Sequence, residues 1–369
     1  MPRPQITVEV SSALPRRGAD SATGTAFMTF AGAAGPTDPV ECRSAADATA
    51  AAAPAPVALW VGDALAAGAP MVVLVRTTAV DPDAVTEAEW TTGLGKFGSQ
   101  YGAGQLIIPG VSTAAAHAAL LAAAVSQGRC ALLDVAENAT ASADVTTATG
   151  LAAAAGAERA TVVAPWVKVP SGGTTRAVPA SVMVAGLVGR GDAAVGHTNY
   201  APAGDQSRGA GAIAQGVGVT VAYTDTELDS LHDAGVSVIR QIDGVPTLYG
   251  WVSISDDPTY RQFSVGRTVM LLALGVRELA EAFLFRTIDY RGHLYAELEG
   301  ALRGYLLPLY SADALYGETP DAAFDVAVKS VNDAADVVAG RLNAAISVTL
   351  SQHTERITIK VVTRTAEGA

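Results

Sequence analysis

Residues 112–135 read STAAAHAALLAAAVSQGRCALLDV, and the break after Gly128 decides the fold. An Ala-rich helical stretch ends there. The short apolar run RCALLDV that follows has the length and composition of a buried strand. The same unit repeats outward in both directions. Upstream, TAFMTFAGA reads as a strand, VALWVGDALAAGA as a helix, PMVVLVRTTAV as a strand, DPDAVTEAEWTTGL as a helix and QLIIPGV as a strand. Downstream, VTTATGLAAAAG reads as a helix and RATVVAPWVKV as one strand. Short apolar strands alternating with Ala-rich helices imply a mainly parallel sheet covered on both faces.

From about Gly218 the character changes. GVTVAY reads as a strand, TDTELDSLHDAG as a helix and VSVIRQIDGVPTLYGWVSIS as a hairpin. Two long amphipathic helices follow, around SVGRTVMLLALGVRELAEAFLF and HLYAELEGALRGYLLPLY, then the short segments FDVAVKS and LNAAISVTLS. Strict alternation marks both chain ends. Ile6, Val8 and Val10 alternate with Gln5, Thr7 and Glu9; Ile357, Ile359 and Val361 alternate with Arg356, Thr358, Lys360 and Val362. The stretch SSALPRRGAD separates the first of these strands from the body. A terminal strand behind such a linker is free to complete its own sheet or a neighbour's. Glu9 opposite Lys360 or Arg364 would place opposite charges across such a pair.

The bulk composition narrows the partners. A chain of 369 residues, 50% hydrophobic and 16% charged, can bury a large core, and its length makes two domains the default. A net charge of −12 argues against direct nucleic-acid binding, which needs a basic face. Cys42 and Cys130 form no metal or redox spacing, and Cys130 reads as a small buried hydrophobe. MPRPQITVEV has no long apolar core, so no secretory signal is expected. The longest apolar stretches fall short of the roughly 18 residues that span a bilayer, so no membrane insertion is expected.

Each candidate for chemistry fails a test of context. GLGKFG supplies Gly93, Gly95 and Gly98 in a GxGxxG spacing, but follows a helical pattern instead of an apolar strand. Gly95-Lys96 is followed by Phe97, so there is no P-loop. Arg190-Gly191-Asp192 and the sequon at Asn138 are too short to carry weight alone. His117, His197, His232, His293 and His353 show no zinc spacing. Asp134 ends a strand, where α/β enzymes often place an acid. With Asp192, His197 and Ser171 or Ser181 it would make a triad, yet no GxSxG elbow is present. No catalytic, cofactor-binding or metal residue is assigned. The scattered Trp60, Trp90, Trp166 and Trp251 read as core or interface residues.

The order of several further landmarks resembles the tail sheath proteins of contractile phages and related injection systems. TVVAPWVKVP carries a strand ending in Pro165-Trp166. PASVMVAG, from Pro179 to Gly186, precedes Arg190 to Asp192 and then Gly196 to Ala203. Downstream come His232 to Val236, Tyr249-Gly250, Ser255 to Pro258 and Gly266-Arg267. Ala314-Leu315, Gly317, Thr319-Pro320, Ala323-Phe324, Val326 and Gly340-Arg341-Leu342 complete the series. The similarity runs from about Thr25 to Thr365. Three positions depart from the family pattern: Tyr249-Gly250 stands for Trp-Gly, Gly266 for the first of two arginines, and Glu355-Arg356 for Glu-Phe.

The resemblance implies an α/β fold. A subtilisin-like, mainly parallel sheet domain without a catalytic triad is expected over 21–215 and an α+β sheath domain over 216–352, flanked by arms at 1–20 and 353–369. It implies a structural subunit, not an enzyme and without cofactors. Such subunits form a helical stack of hexameric rings around an inner tail tube and contract without nucleotide hydrolysis. Ile6, Val8, Glu9, Val10, Ile357, Ile359, Lys360, Val361 and Arg364 would form the subunit interface by strand exchange, with LNAAISVTLS as the local partner. The turn and helix around 321–340 would face the inner tube protein. Baseplate and tail terminator proteins would be further partners, and the assembled location a virion tail sheath built in the host cytoplasm. The competing readings are a hydrolase-like or dehydrogenase-like enzyme and a non-contractile capsid or shell protein.

Overall fold

Along β1 (Ala26–Phe30) every side chain is buried, but alternate ones enter opposite cores: Ala26, Met28 and Phe30 go to one side, Phe27 to the other. Period-two geometry does this to any strand with helices on both faces. The computed structural model, which describes residues 23–204 and 211–355, repeats the arrangement strand by strand. After β2 (Val40–Cys42), α1 (Ala45–Ala50) and α2 (Ala55–Ala67) comes β3 (Val72–Arg76), which sends Val72 and Leu74 one way and Val73 and Val75 the other. Then follow α3 (Glu87–Leu94), β4 (Gln105–Ile107), α4 (Ala114–Gln127), β5 (Cys130–Asp134), α5 (Ala141–Leu151) and β6 (Ala160–Ala164). Within this run, α4 starts where the Thr113 side chain accepts from the Ala116 N–H, and it stops at Gly128, whose φ of 65° suits glycine.

The strand expected over RATVVAPWVKV is two strands in two sheets. It breaks at Pro165, which has no N–H for the ladder and follows a cis peptide bond. There Trp166 turns away and donates its Nε1 proton to the Val135 carbonyl at 2.8 Å. The chain continues as β7 (Val167–Ser171) and β8 (Thr174–Val178), then α6 (Ala180–Val195). GVTVAY contributes only β9 (Gly218–Val219), which pairs with β7. After α7 (Asp225–Asp233), β10 (Val236–Ile242) and β11 (Val245–Leu248) form the expected hairpin.

The main sheet has eight strands in the order β11-β10-β6-β5-β4-β1-β3-β2. Its inner strands, from β10 to β3, are all parallel, and each edge strand is antiparallel to its neighbour. β10 and β11 lie beyond residue 215, so this sheet crosses the boundary drawn from the sequence. α2 and α6 cover one face of the sheet; α3, α4, α5 and α7 cover the other.

The remaining elements form a smaller α+β unit. α8 (Phe263–Glu281) leads to α9 (His293–Ser311), α10 (Pro320–Ala323), β12 (Phe324–Ala327), α11 (Ala334–Val338) and β13 (Ala345–Val348). β12 and β13 make a two-stranded antiparallel sheet. α8 belongs to both parts. Phe263 and Met270 enter the core under α6, while Val265, Val269 and Leu272 pack with α9 and the small sheet.

Candidate subunit interface and the roots of the chain ends

Of the residues considered as a triad, the fold hydrogen-bonds Asp134 to Ser181 and places His197 and Asp192 elsewhere. Asp134 reaches from the end of β5 to the first turn of α6. Its carboxylate accepts from Ser181 N at 2.8 Å, Ser181 Oγ at 2.6 Å and Gly110 N at 2.9 Å. The N-cap of that helix is Pro179, which offers no side-chain acceptor, so the strand supplies one. Burial pushes the Asp134 carboxyl up to about 6 against the pull of these three donors. The nearby histidine is His117, whose Nε2 lies 3.0 Å from the Asp134 backbone carbonyl, not its carboxylate. Ser171 sits at the β7–β8 turn. His197 and Asp192 belong to a different cluster.

The GxGxxG stretch has a polarity opposite to that of a phosphate cradle. Here the turn aims carbonyls inward: Phe97 O, Gly98 O and Gly102 O all accept from the buried Arg129 guanidinium at 2.8–3.0 Å. Backbone acceptors around a cation cannot hold an anion in the same place. Among the described residues no group of three His, Cys, Asp or Glu is placed to hold a metal. No described helix is long and apolar enough to cross a membrane.

Asp192, in the last turn of α6, is the centre of the second cluster. It pairs with Arg267 of α8, whose Nη2 lies 2.8 Å from Oδ2 and 3.0 Å from Oδ1. The Tyr200 hydroxyl is 2.9 Å from Oδ1, and Thr23 Oγ1 donates to Oδ2. Burial alone would lower the Arg267 guanidinium, but Asp192 and the Tyr200 oxygen beside it raise it. Thr23 is held a second time, because its carbonyl accepts from Gln105 Nε2 of β4 at 2.9 Å. The segment entering the body from the N-terminal side is therefore clamped by a buried ion pair and a buried amide.

A matching clamp holds the other end. Gln262, the residue before α8, donates Nε2 to the His353 carbonyl at 2.8 Å and accepts from the His353 N–H at 3.1 Å. Asn199 Nδ2 donates to the carbonyls of Ser351 and Ala314. Burial depresses the His353 imidazole. Glu355, 3.7 Å away, opposes that shift, and His232 adds to it. The first turns of α8 thus hold both ends of the described body: Arg267 and Asp192 at Thr23, Gln262 at His353.

Next to the second clamp lies the small sheet. Phe324, Val326 and Ile346 are buried against α9, while Asp325 and Ser347 face out. Isolated two-stranded sheets are marginal, so this one depends on that packing. Among the described residues β12 pairs with β13 alone, and each keeps an unpaired edge over these ranges. LNAAISVTLS, expected as an arm's partner, contains β13. Phe285, Tyr290, Tyr316 and Val338, the four most exposed large apolar side chains described, all belong to this unit.

The expected interface residues Ile6, Val8, Glu9, Val10, Ile357, Ile359, Lys360, Val361 and Arg364 lie outside the described residues. Sequence reasoning missed Thr23, Gln105, Asn199 and Gln262 as residues that hold the roots, and it named Arg267 only as a landmark. The available signal was a polar residue set in an apolar run, as in FSVGRTVMLL, where Arg267 interrupts the buried side of a helix.

No family model matches the sequence, and no curated protein is similar to it. Solved structures share its fold along nearly the whole chain. The helical sheath of the anti-feeding prophage in its contracted state has a TM-score of 0.74 at 19% identity, covering 99% of this chain and 100% of that one. The contracted sheath complex of PVC, an extracellular contractile injection system, has a TM-score of 0.72 at 16% identity, with 99% and 98% covered. A sheath tail protein from Desulfitobacterium hafniense has a TM-score of 0.59 at 13% identity, with 89% and 93% covered. The mixed α/β fold, with its mainly parallel sheet, is that of these sheath chains.

Proposed function

We propose that this chain is the structural subunit of a contractile tail sheath, polymerising helically as stacked hexameric rings around an inner tail tube. The observation that carries the reading is fold similarity over 99% of the chain to a contracted sheath, α+β unit included. Two local features support it. Both ends of the described body are clamped at the start of α8, and among the described residues the small sheet beside one clamp pairs only β12 with β13.

In this reading the strands at 6–10 and 357–364 pair with β12 or β13 of adjoining copies. Each backbone hydrogen bond contributes about 0.5–1.5 kcal/mol net, and several per arm across a lattice make dissociation rare. Contraction is then a move between two lattices of the same paired strands, driven by new contacts between bodies instead of by a reaction at a site. The segment 321–340 is assigned to the inner tube protein, and the ends of the stack to baseplate and tail terminator proteins. The location is a tail sheath assembled in the host cytoplasm.

Deletion of residues 1–12 tests the reading. The truncated chain is expected to keep its circular dichroism spectrum and to fail to form tubes under the electron microscope. Normal long tubes from the truncation, or closed shells from the intact chain, would contradict it.

A further inference from the structure

The hold on Thr23 is a hydrogen-bond circuit with one link open. From Thr23 Oγ1 it runs to the Asp192 carboxylate and on to Arg267 Nη2. From the Thr23 carbonyl it runs to Gln105 Nε2. Arg267 then has Nη1 left over and Gln105 has Oε1, and neither atom meets a hydrogen-bonding partner among the described residues. Both residues are only 1% exposed. Turning the Gln105 amide round does not help, because the Thr23 carbonyl needs the donor that Nε2 supplies.

Arg267 and Gln105 line one small cavity, together with Thr23, Gly104, Cys130 and Met270. It offers about 10 Å³ to the centre of a water molecule, room for one and no more. Although the Arg129 guanidinium also borders it, an anion does not suit this place. Arg129 already donates to the carbonyls of Phe97, Gly98 and Gly102 and to Gln127 Oε1. Arg267 is neutralised by Asp192, and Gln105 presents an acceptor oxygen. The sulfurs of Cys130 and Met270, 4.0 Å apart, add only weak acceptors. The open link calls for a group that accepts on one side and donates on the other.

We propose that one buried water molecule occupies this cavity, accepting from Arg267 Nη1 and donating to Gln105 Oε1. It closes the circuit through Thr23 and satisfies two polar groups that burial would otherwise leave without partners. Gln105 and Arg267 then grip Thr23 as one unit, not as two separate contacts. The inference concerns a single copy and does not depend on the sheath reading.

A crystal structure of the intact chain, at a resolution that shows ordered water, tests it. A single peak is expected within about 2.7–3.2 Å of both Arg267 Nη1 and Gln105 Oε1. A cavity without density would overturn the proposal, as would a water that reaches only one of the two atoms. A direct bond from Arg267 Nη1 to Gln105 Oε1 would also overturn it. Soaking the crystals in bromide separates water from an anion, and an anomalous peak at the site would count against water. In solution, relaxation dispersion of water oxygen-17 counts long-lived bound waters. Gln105→Met fills similar space without the acceptor and is expected to hold one fewer than the intact chain. An unchanged count in a variant with the same circular dichroism spectrum would contradict the assignment.

Discussion

Removing the Asp192 carboxylate would strand the Arg267 guanidinium inside the protein, where its side chain is 1% exposed. Breaking a buried pair from one side costs about 3–5 kcal/mol, because the remaining charge keeps its desolvation penalty. Asp192→Ala is therefore expected to lower unfolding free energy in urea by that amount. A loss below about 1 kcal/mol, the range of exposed pairs, would show that the pair is not the clamp described here. Gly266, next to Arg267, explains one departure from the family pattern. A Cβ at 266 would lie 1.9 Å from the Glu158 carbonyl oxygen, so the first arginine of the pair has no room here. The sequence displayed Asp192 within a tripeptide and Arg267 beside a glycine, but not their pairing. A bond between residues 75 positions apart leaves no periodicity to read.

At the scale of elements, α2 and α6 approach each other closely at Gly186. A Cβ added at Gly186 would sit 2.3 Å from the Ala67 Cβ and 2.6 Å from the Ala64 carbonyl oxygen. Gly186→Ala forces the helices apart and is expected to cost about 1–3 kcal/mol, the usual range for overpacking. Thermal denaturation measures this, and an unchanged or raised midpoint would contradict the packing. Glycine in a helix is otherwise unfavourable, so close approach is the physical reason for it here. The alternating strands and helices were legible in the sequence, because burial on two faces imposes a period. The break at Pro165 and the shrinkage of GVTVAY to β9 were not. Both follow from where the chain crosses between sheets, which depends on partners such as Val135 and Lys168 that lie far away in sequence.

For the molecule as a whole, the position of α8 matters most. One helix is shared between the large sheet and the small α+β unit, and its first turns grip both ends of the described body. A pull on either end of the described body would thus enter the fold through the same two turns. The sequence alone showed an alternating apolar pattern at each extreme and a change of pattern near Gly218. It did not show that β10 and β11 complete the first sheet, since a strand's place in a sheet is set by register and not by order along the chain.

The central claim is that the terminal strands are shared between copies, and a cryo-electron microscopy map of the polymer tests it most directly. The account predicts density for residues 6–10 and 357–364 paired with β12 or β13 of neighbouring copies. Density tracing both strands back into their own chain would contradict it.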